Sequence, residues 1–279
     1  MSYHAPQTLH DALGAIAAHG GARIVAGGTD VFPALGDSPP PADFIDLTRV
    51  AELRGITRRD DGGWRIGAAV TWREAIRADL PPCFDGLKAA AREVGSVQIQ
   101  TTGTLAGNLC NASPAADGVP ALMALDATVE LAAREGTRHL PLGEFLTGVR
   151  RTALRPGEIV AAIHVPPQPE SAQSAFLKLG SRKYLVISIV MVSTVIWRDG
   201  GRIAGARIAV GAASPVAQRL PELEAVLVGL DLGGLDGALT RPEHLSGLSP
   251  IADVRGSADY RRLAVAELCD RAIRKAAHG

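Results

Sequence analysis

The 279-residue sequence predicts an α+β fold in two parts: an αβ region over residues 1–168 and a smaller α+β region over residues 172–279. Two patterns predict it. Helical and strand-like periods alternate through the first part. In the second, three strand-like runs at hairpin spacing form a three-stranded antiparallel sheet and are followed by two helical runs. A content of 47% hydrophobic and 21% charged residues suits a globular chain of this length with a real core.

Each element has a local reason. Thr8 caps a first helix with Asp11 three residues on, and Leu9, Leu13, Ile16 and Ala17 make its apolar stripe. Gly20 and Gly21 end it. ARIVAGGTD is an apolar strand running into a Gly-Gly turn, and FIDLTRV, residues 44–50, is a second strand beyond the prolines at 39–41. WRIGAAVT, residues 64–71, alternates as a strand, with Thr71 placed to cap a helix through Ile76. A helix over Gly86 to Val94 follows. The stretch TTGTLAGNLCNASPAAD, residues 101–117, has no long period and reads as a loop rather than a helix or strand. Helix VPALMALDA, strand TVELAA and strand EIVAAIHVPP, the last stopped by two prolines, complete the first part. In the second, FLKLGS, IVMVSTVIW and RIAGARIAVGAA are strands, with Asp199-Gly200-Gly201 as a turn, before helices at Leu220 to Leu230 and Tyr260 to Ala277.

Composition excludes several function classes. Lys plus Arg and Asp plus Glu are 29 each, so no charge excess favours a nucleic acid or an anionic membrane. The longest apolar run, Leu185 to Trp197, is interrupted by Ser188, Ser193 and Thr194 and falls short of the roughly 20 residues that span a bilayer. The first residues lack a basic-then-apolar leader, so a cytoplasmic location is expected. Cys83, Cys110 and Cys269 are scattered and cannot supply the four thiolates an iron–sulfur cluster usually takes. HExxH, GxSxG and the GxxxxGK[ST] phosphate loop are absent. The seven histidines are spread singly and read as surface or core residues, so no metal site is expected.

Two segments can carry chemistry. In IVAGGTDV a strand ends in two glycines, which lets bare backbone approach a ligand and present a nest of N–H groups to phosphate oxygens. A plain tight turn is the alternative, and the spacing is not that of the GxGxxG fingerprint. In TTGTLAGNLCNASPAAD, Gly103 and Gly107 allow tight turns, Thr102, Thr104, Asn108 and Ser113 offer short polar groups, and Asp117 can accept bonds from sugar-like hydroxyls. A loop satisfying its own backbone is the alternative there. Two such stretches in one chain suit a dinucleotide with a pyrophosphate and a polyol chain. A carboxylate beside a diphosphate would repel it, so Asp30 is expected to bond N–H groups of its own turn or a hydroxyl. Lys178 reads either as an exposed strand lysine or as a cation near a redox ring. No nucleophile–base or carboxylate pair stands out, as suits a cofactor that carries its own chemistry.

At these two stretches the sequence resembles the medium, flavin-binding subunits of the xanthine dehydrogenase and carbon monoxide dehydrogenase family. IVAGGTDV resembles the first FAD loop, AGG-T/Q/H-D/S, and GTLAGNLCNASPAAD the second, GT-I/L-GGN followed by SP and D. The likeness continues in order through PALMALDATVEL, FLTGVRRTALRPGEIV, FLKLGSR, RIAVGAASPVAQR and DVRGSADYRR. It implies a two-part FAD-binding domain of the vanillyl-alcohol-oxidase type followed by the small C-terminal domain of these flavoproteins. It also implies site residues. Backbone amides of Ile24, Val25, Ala26, Gly27, Gly28, Thr29, Asp30 and Val31 would hold the diphosphate. Thr104, Ala106, Gly107 and Asn108 would form the second loop, and Asp117 would bind the polyol. Val160 would pack by the ring through its backbone, with Lys178 near the ring's polar edge.

Two departures stand out. Ala106 replaces a family glycine, which would cost about 1 kcal/mol at a position needing positive φ. Residues 182–187, which cover the flavin in relatives, read RKYLVI, without the acidic residues of animal xanthine dehydrogenases or an aromatic at the stacking position of the carbon monoxide enzymes. The implied function is an electron relay. A molybdopterin-binding large subunit would oxidise substrate, a small subunit with two [2Fe–2S] clusters would pass electrons on, and FAD here would deliver them to NAD⁺, oxygen, a quinone or another carrier. A self-contained FAD-dependent oxidoreductase and a non-flavin scaffold subunit are the rival readings. The first would need its own catalytic base; the second would be signalled by loss of Gly27, Gly28 or Asp117, all of which are present.

Overall fold

A computed structural model describes residues 2–37, 39–183 and 185–279. Strand β1 (Ser2–His4), helix α1 (Leu9–Ala18), strand β2 (Arg23–Val25), the short helix α2 (Val31–Leu35) and strand β3 (Asp43–Asp46) open the chain. The three strands form a parallel sheet in the order β1-β3-β2. Thr8 caps α1 by accepting from the Asp11 N–H, as its spacing predicts. The buried stripe is Ala12, Leu13 and Ile16, and Ala17 faces solvent instead. The strand predicted over residues 44–50 stops at Asp46, because the Asp46 carboxylate accepts the Thr48 N–H and turns the chain.

Next come β4 (Ile56–Arg58), β5 (Trp64–Gly67), α3 (Trp72–Arg77), α4 (Asp85–Glu93), α5 (Val97–Thr102), α6 (Leu105–Asn111) and α7 (Gly118–Ala124). The first part ends with β6 (Thr128–Ala133), β7 (Gly136–Pro141), α8 (Leu142–Phe145), β8 (Leu146–Gly148), β9 (Arg151–Thr152) and β10 (Ile159–Val165). A five-stranded antiparallel sheet runs β4-β5-β10-β6-β7, and β8 pairs with β9 alone. Thr71 and Glu74 close a capping box on α3, which fixes where the chain leaves β5.

The loop reading of residues 101–117 is corrected. That stretch holds the last turn of α5 and all of α6. Thr104 caps α6 by accepting the Gly107 N–H, and Leu105, Ala106 and Leu109 are buried. Tertiary burial therefore overrides the poor helix propensity of Gly107, Asn108 and Asn111.

The C-terminal part contains β11 (Gln173–Leu179), β12 (Val190–Asp199), β13 (Arg202–Gly211), β14 (Gln218–Arg219), α9 (Pro221–Leu227) and α10 (Ala258–His278). Its antiparallel sheet has four strands, not the expected three, because the two-residue β14 pairs with β13. Gly200, at φ +57, forms the tight turn between Asp199 and Arg202. Both faces of this sheet are buried. Phe176, Met191, Val195 and Ala209 join the core of the first part, where α4 and α7 pack on the sheet. Val190, Val192, Ile196 and Ile208 pack instead against Leu223, Val265, Cys269 and Ile273 of α9 and α10. Two-sided burial explains why residues 190–197 read as one apolar run rather than an alternation.

Candidate functional site

The two glycine-bearing stretches meet. After Val25 the chain leaves the sheet, and Gly27 lies so close to the second stretch that a Cβ there would sit 1.9 Å from the Thr102 carbonyl oxygen and 2.8 Å from the Gly103 Cα. Only bare backbone permits that approach. Gly28 has φ +70, where L side chains are strained, and the Phe32 ring packs where a Cβ would project. The contact is mutual, since a Cβ on Gly103 would lie 3.2 Å from Thr29 Oγ1. Among the described residues, no acceptor takes the backbone N–H of Gly27, Gly28, Thr29 or Asp30. Four successive amides are thus without a protein acceptor, one of them on the buried Gly28. Ile24 and Val25 lie in β2, Ala26 follows them, and Val31 begins α2.

Asp30 departs from expectation. Its Oδ1 accepts from Asn111 Nδ2 at 2.7 Å, across the two stretches, rather than from N–H groups of its own turn. Arg150 in turn binds the Asn111 side chain through Nη1.

The second stretch is pinned from behind. Trp72 N donates to Gly103 O at 3.1 Å and Leu105 N to Val70 O at 3.0 Å, so residues 103–105 lie beside the start of α3. Ala106 sits inside α6 and is not among the positive-φ residues. The strain considered for this alanine is therefore absent. Asn108 Oδ1 accepts the Gly118 N–H at 3.3 Å, joining α6 to the start of α7, where Asp117 stands. Val160 is 4% exposed and lies at a bulge in β10, the strand on which α6 packs.

Asp117 and Lys178 come together. Lys178 Nζ donates to Asp117 Oδ2 at 2.8 Å and approaches the Glu93 carbonyl at 3.4 Å. The Lys178 side chain is only 5% exposed, so the exposed-lysine alternative is wrong. Period two places Lys178 on the same strand face as the core residue Phe176, a signal that the sequence carried. Ser188 Oγ donates to Asp117 Oδ1 at 2.7 Å and was missed, because in sequence it only interrupts an apolar run. Burial pushes the Asp117 carboxyl up from its ordinary range, and the Lys178 ammonium and the Ser188 hydroxyl pull it back. In residues 182–187, Leu185 and Ile187 are exposed. Tyr184, within this segment, lies outside the described residues.

Histidines spread singly along the sequence gather in space. His4, His19 and Asp43 bring ligand atoms within 4.8 Å of one another, as do Glu130, His139 and His164. In the second group Arg59 lies 3.1 Å from His164 Nδ1 and Arg65 lies 3.7 Å from Glu130, and two guanidinium groups disfavour a cation. The first is a tilted His4–His19 ring pair, with His19, at the end of α1, placing Nδ1 3.6 Å from an Asp43 carboxylate oxygen in β3.

Residues 1–168 match a family model described as the FAD binding domain in molybdopterin dehydrogenase, and residues 175–276 match the CO dehydrogenase flavoprotein C-terminal domain. The chain belongs to the FAD-binding family of the molybdopterin dehydrogenases. It is 31% identical to the xanthine dehydrogenase FAD-binding subunit of Escherichia coli O157:H7, over 99% of this chain and 95% of that one. It is 31% identical to the carbon monoxide dehydrogenase medium chain of Afipia carboxidovorans, over 99% and 96%. The crystal structure of quinoline 2-oxidoreductase from Pseudomonas putida 86 superposes with a TM-score of 0.88 at 29% identity, covering 100% of this chain and 97% of that one. This flavoprotein is therefore an FAD-binding subunit of the xanthine and carbon monoxide dehydrogenase type, and an oxidoreductase component. Among its described residues no helix is long and apolar enough to cross a membrane.

Proposed function

We propose that this subunit is an electron relay. Electrons taken from substrate on a molybdopterin-binding large subunit, and carried by the [2Fe–2S] clusters of a small subunit, leave through this chain to an external acceptor. The carrying observation is the contact of Gly27 with Thr102 and Gly103, beside a run of amides that no protein group accepts among the described residues. Such a run suits a diphosphate, because successive backbone N–H groups without a protein acceptor can donate to its oxygens. On this reading residues 24–31 hold the diphosphate, and Thr104, Ala106, Gly107 and Asn108 shape the wall beside it. Asp117 accepts hydroxyls of the polyol, Val160 packs near the ring through its backbone, and Lys178 places a buried cation near the ring's polar edge. The flavin-binding part spans residues 1–168 and the C-terminal part residues 172–279.

Bound FAD supplies the redox chemistry, and the protein binds, orients and tunes it. The titratable groups of the site are already engaged, Asp30 by Asn111 and Asp117 by Lys178. Neither is a free general base, which favours a relay over a self-contained oxidase. Relatives named for xanthine, carbon monoxide and quinoline lie at similar identity, 31%, 31% and 29%. Substrate choice is accordingly assigned to the large partner.

The visible absorption spectrum of the tagged chain, purified gently from its own cells, tests this. Flavin and iron–sulfur absorbance together, with two co-purifying chains, is the expected result. Flavin alone on a single chain that turns over a substrate would overturn the relay. A colourless protein that takes up no added FAD would overturn the flavin site itself.

A further inference from the structure

Ser188 belongs to no motif, yet it is 2% exposed and hydrogen-bonded to a buried carboxylate. Its backbone is held firmly. The next residue, Ile189, donates its N–H to Leu179 O at 2.8 Å, and its carbonyl accepts from the buried Arg261 guanidinium. Arg261 Nη1 also donates to Ala212 O at 3.1 Å, and Ala212 N donates to Pro114 O at 2.9 Å. The chain presenting Ser188 is thus tied back to the stretch that ends in Asp117. A carboxylate has about four lone-pair sites over its two oxygens. Lys178 takes one on Oδ2 and Ser188 one on Oδ1, so each oxygen keeps an acceptor position.

We propose that Ser188 is a positioning residue of the flavin site: its hydroxyl and the Lys178 ammonium grip opposite oxygens of Asp117 and fix the carboxylate plane, leaving the remaining lone pairs for cofactor hydroxyls. This rests on the reading of Asp117 as the polyol acceptor. Lys178 alone would leave the carboxylate free to rotate about its Cβ–Cγ bond, and one buried oxygen would lose its donor. Ser188 touches no ligand in this role; it acts through Asp117.

The test is FAD titration of the full chain freed of flavin, with melting temperature measured alongside. Ser188→Ala weakens FAD binding about tenfold, as expected for a lost hydrogen bond to a charged acceptor. Ser188→Thr, which keeps the hydroxyl, restores affinity to within about twofold on the same reasoning. In an Asp117→Ala background, Ser188→Ala changes nothing further. Equal weakening in both backgrounds, unchanged affinity in Ser188→Ala, or failure of threonine to restore it while the flavin-free melting temperature is preserved would each overturn the proposal. A wild-type chain that takes up no FAD would instead overturn the flavin-site reading beneath it.

Discussion

The two halves of the candidate site are built from opposite materials. Around Gly27 the contact is backbone on backbone, with the Phe32 ring packed on Gly28, and the amides of residues 27–30 have no protein acceptor among the described residues. Around Asp117 nearly everything is side chain, with a carboxylate, an ammonium and a hydroxyl from three separate segments closed on one another away from water. The backbone half depends on shape, and its ligand preference comes from dipoles that cannot be titrated or mutated away. The side-chain half depends on charge balance, and each member is costly to keep without the others. The first should therefore fail by steric exclusion and the second by desolvation.

The largest effect is expected in the charged half. Lys178→Met removes the partner of a carboxylate whose side chain is 11% exposed, and leaving a buried charge unpaired costs about 3–5 kcal/mol. Urea unfolding of the flavin-free chain should show a loss of that size, and adding Asp117→Leu should recover much of it, since apolar replacement of both partners removes the stranded charge. If Lys178→Met is nearly neutral and the double variant is worse, the pair is not a buried unit and the contrast fails.

Gly27→Ala tests the backbone half. Its Cβ would fall 1.9 Å from the Thr102 oxygen, a backbone atom that cannot turn aside. The two stretches must separate, with a stability loss of about 1–3 kcal/mol, the usual range for overpacking. Bound flavin should fall much further than stability does, because the amides beside the displaced Gly27 shift relative to a bound diphosphate. The flavin-to-protein ratio after purification, beside the melting temperature, measures both. A variant that keeps full flavin would show that the Gly27 contact does not build the site.

The same contrast governs what the sequence revealed. Glycine pairs, the Thr8 and Thr71 caps and the Gly200 turn act over a few residues, so the first loop and most elements could be read locally. Helix α6 could not, because its stability comes from Leu105, Ala106 and Leu109 meeting a core assembled from distant segments. Strand β14 is two residues long and has no period to detect. Ser188 lies 71 residues from the carboxylate it serves, and nothing local marks it. Lys178 lies between these cases, since its strand face was legible and its partner was not.

The smallest effect should arise where side chains at the surface join the two glycine-bearing stretches. Asn111 Nδ2 holds Asp30 Oδ1 at 2.7 Å beside the free amides. The bond is exposed, so Asn111→Ala should cost about 0.5–1.5 kcal/mol or less in stability. Its more telling consequence is electrostatic. A released Asp30 carboxylate can swing toward a diphosphate held by neighbouring amides and repel it. FAD affinity should therefore drop a few-fold, and the drop should be larger in dilute buffer than at about 1 M salt, where the screening length shrinks to about 3 Å. Asp30→Asn in the same chain removes the charge and should restore affinity. FAD dissociation constants at two ionic strengths decide it: a loss that is independent of salt, or that persists in the double variant, would mean that Asn111 shapes the loop and does not restrain a charge.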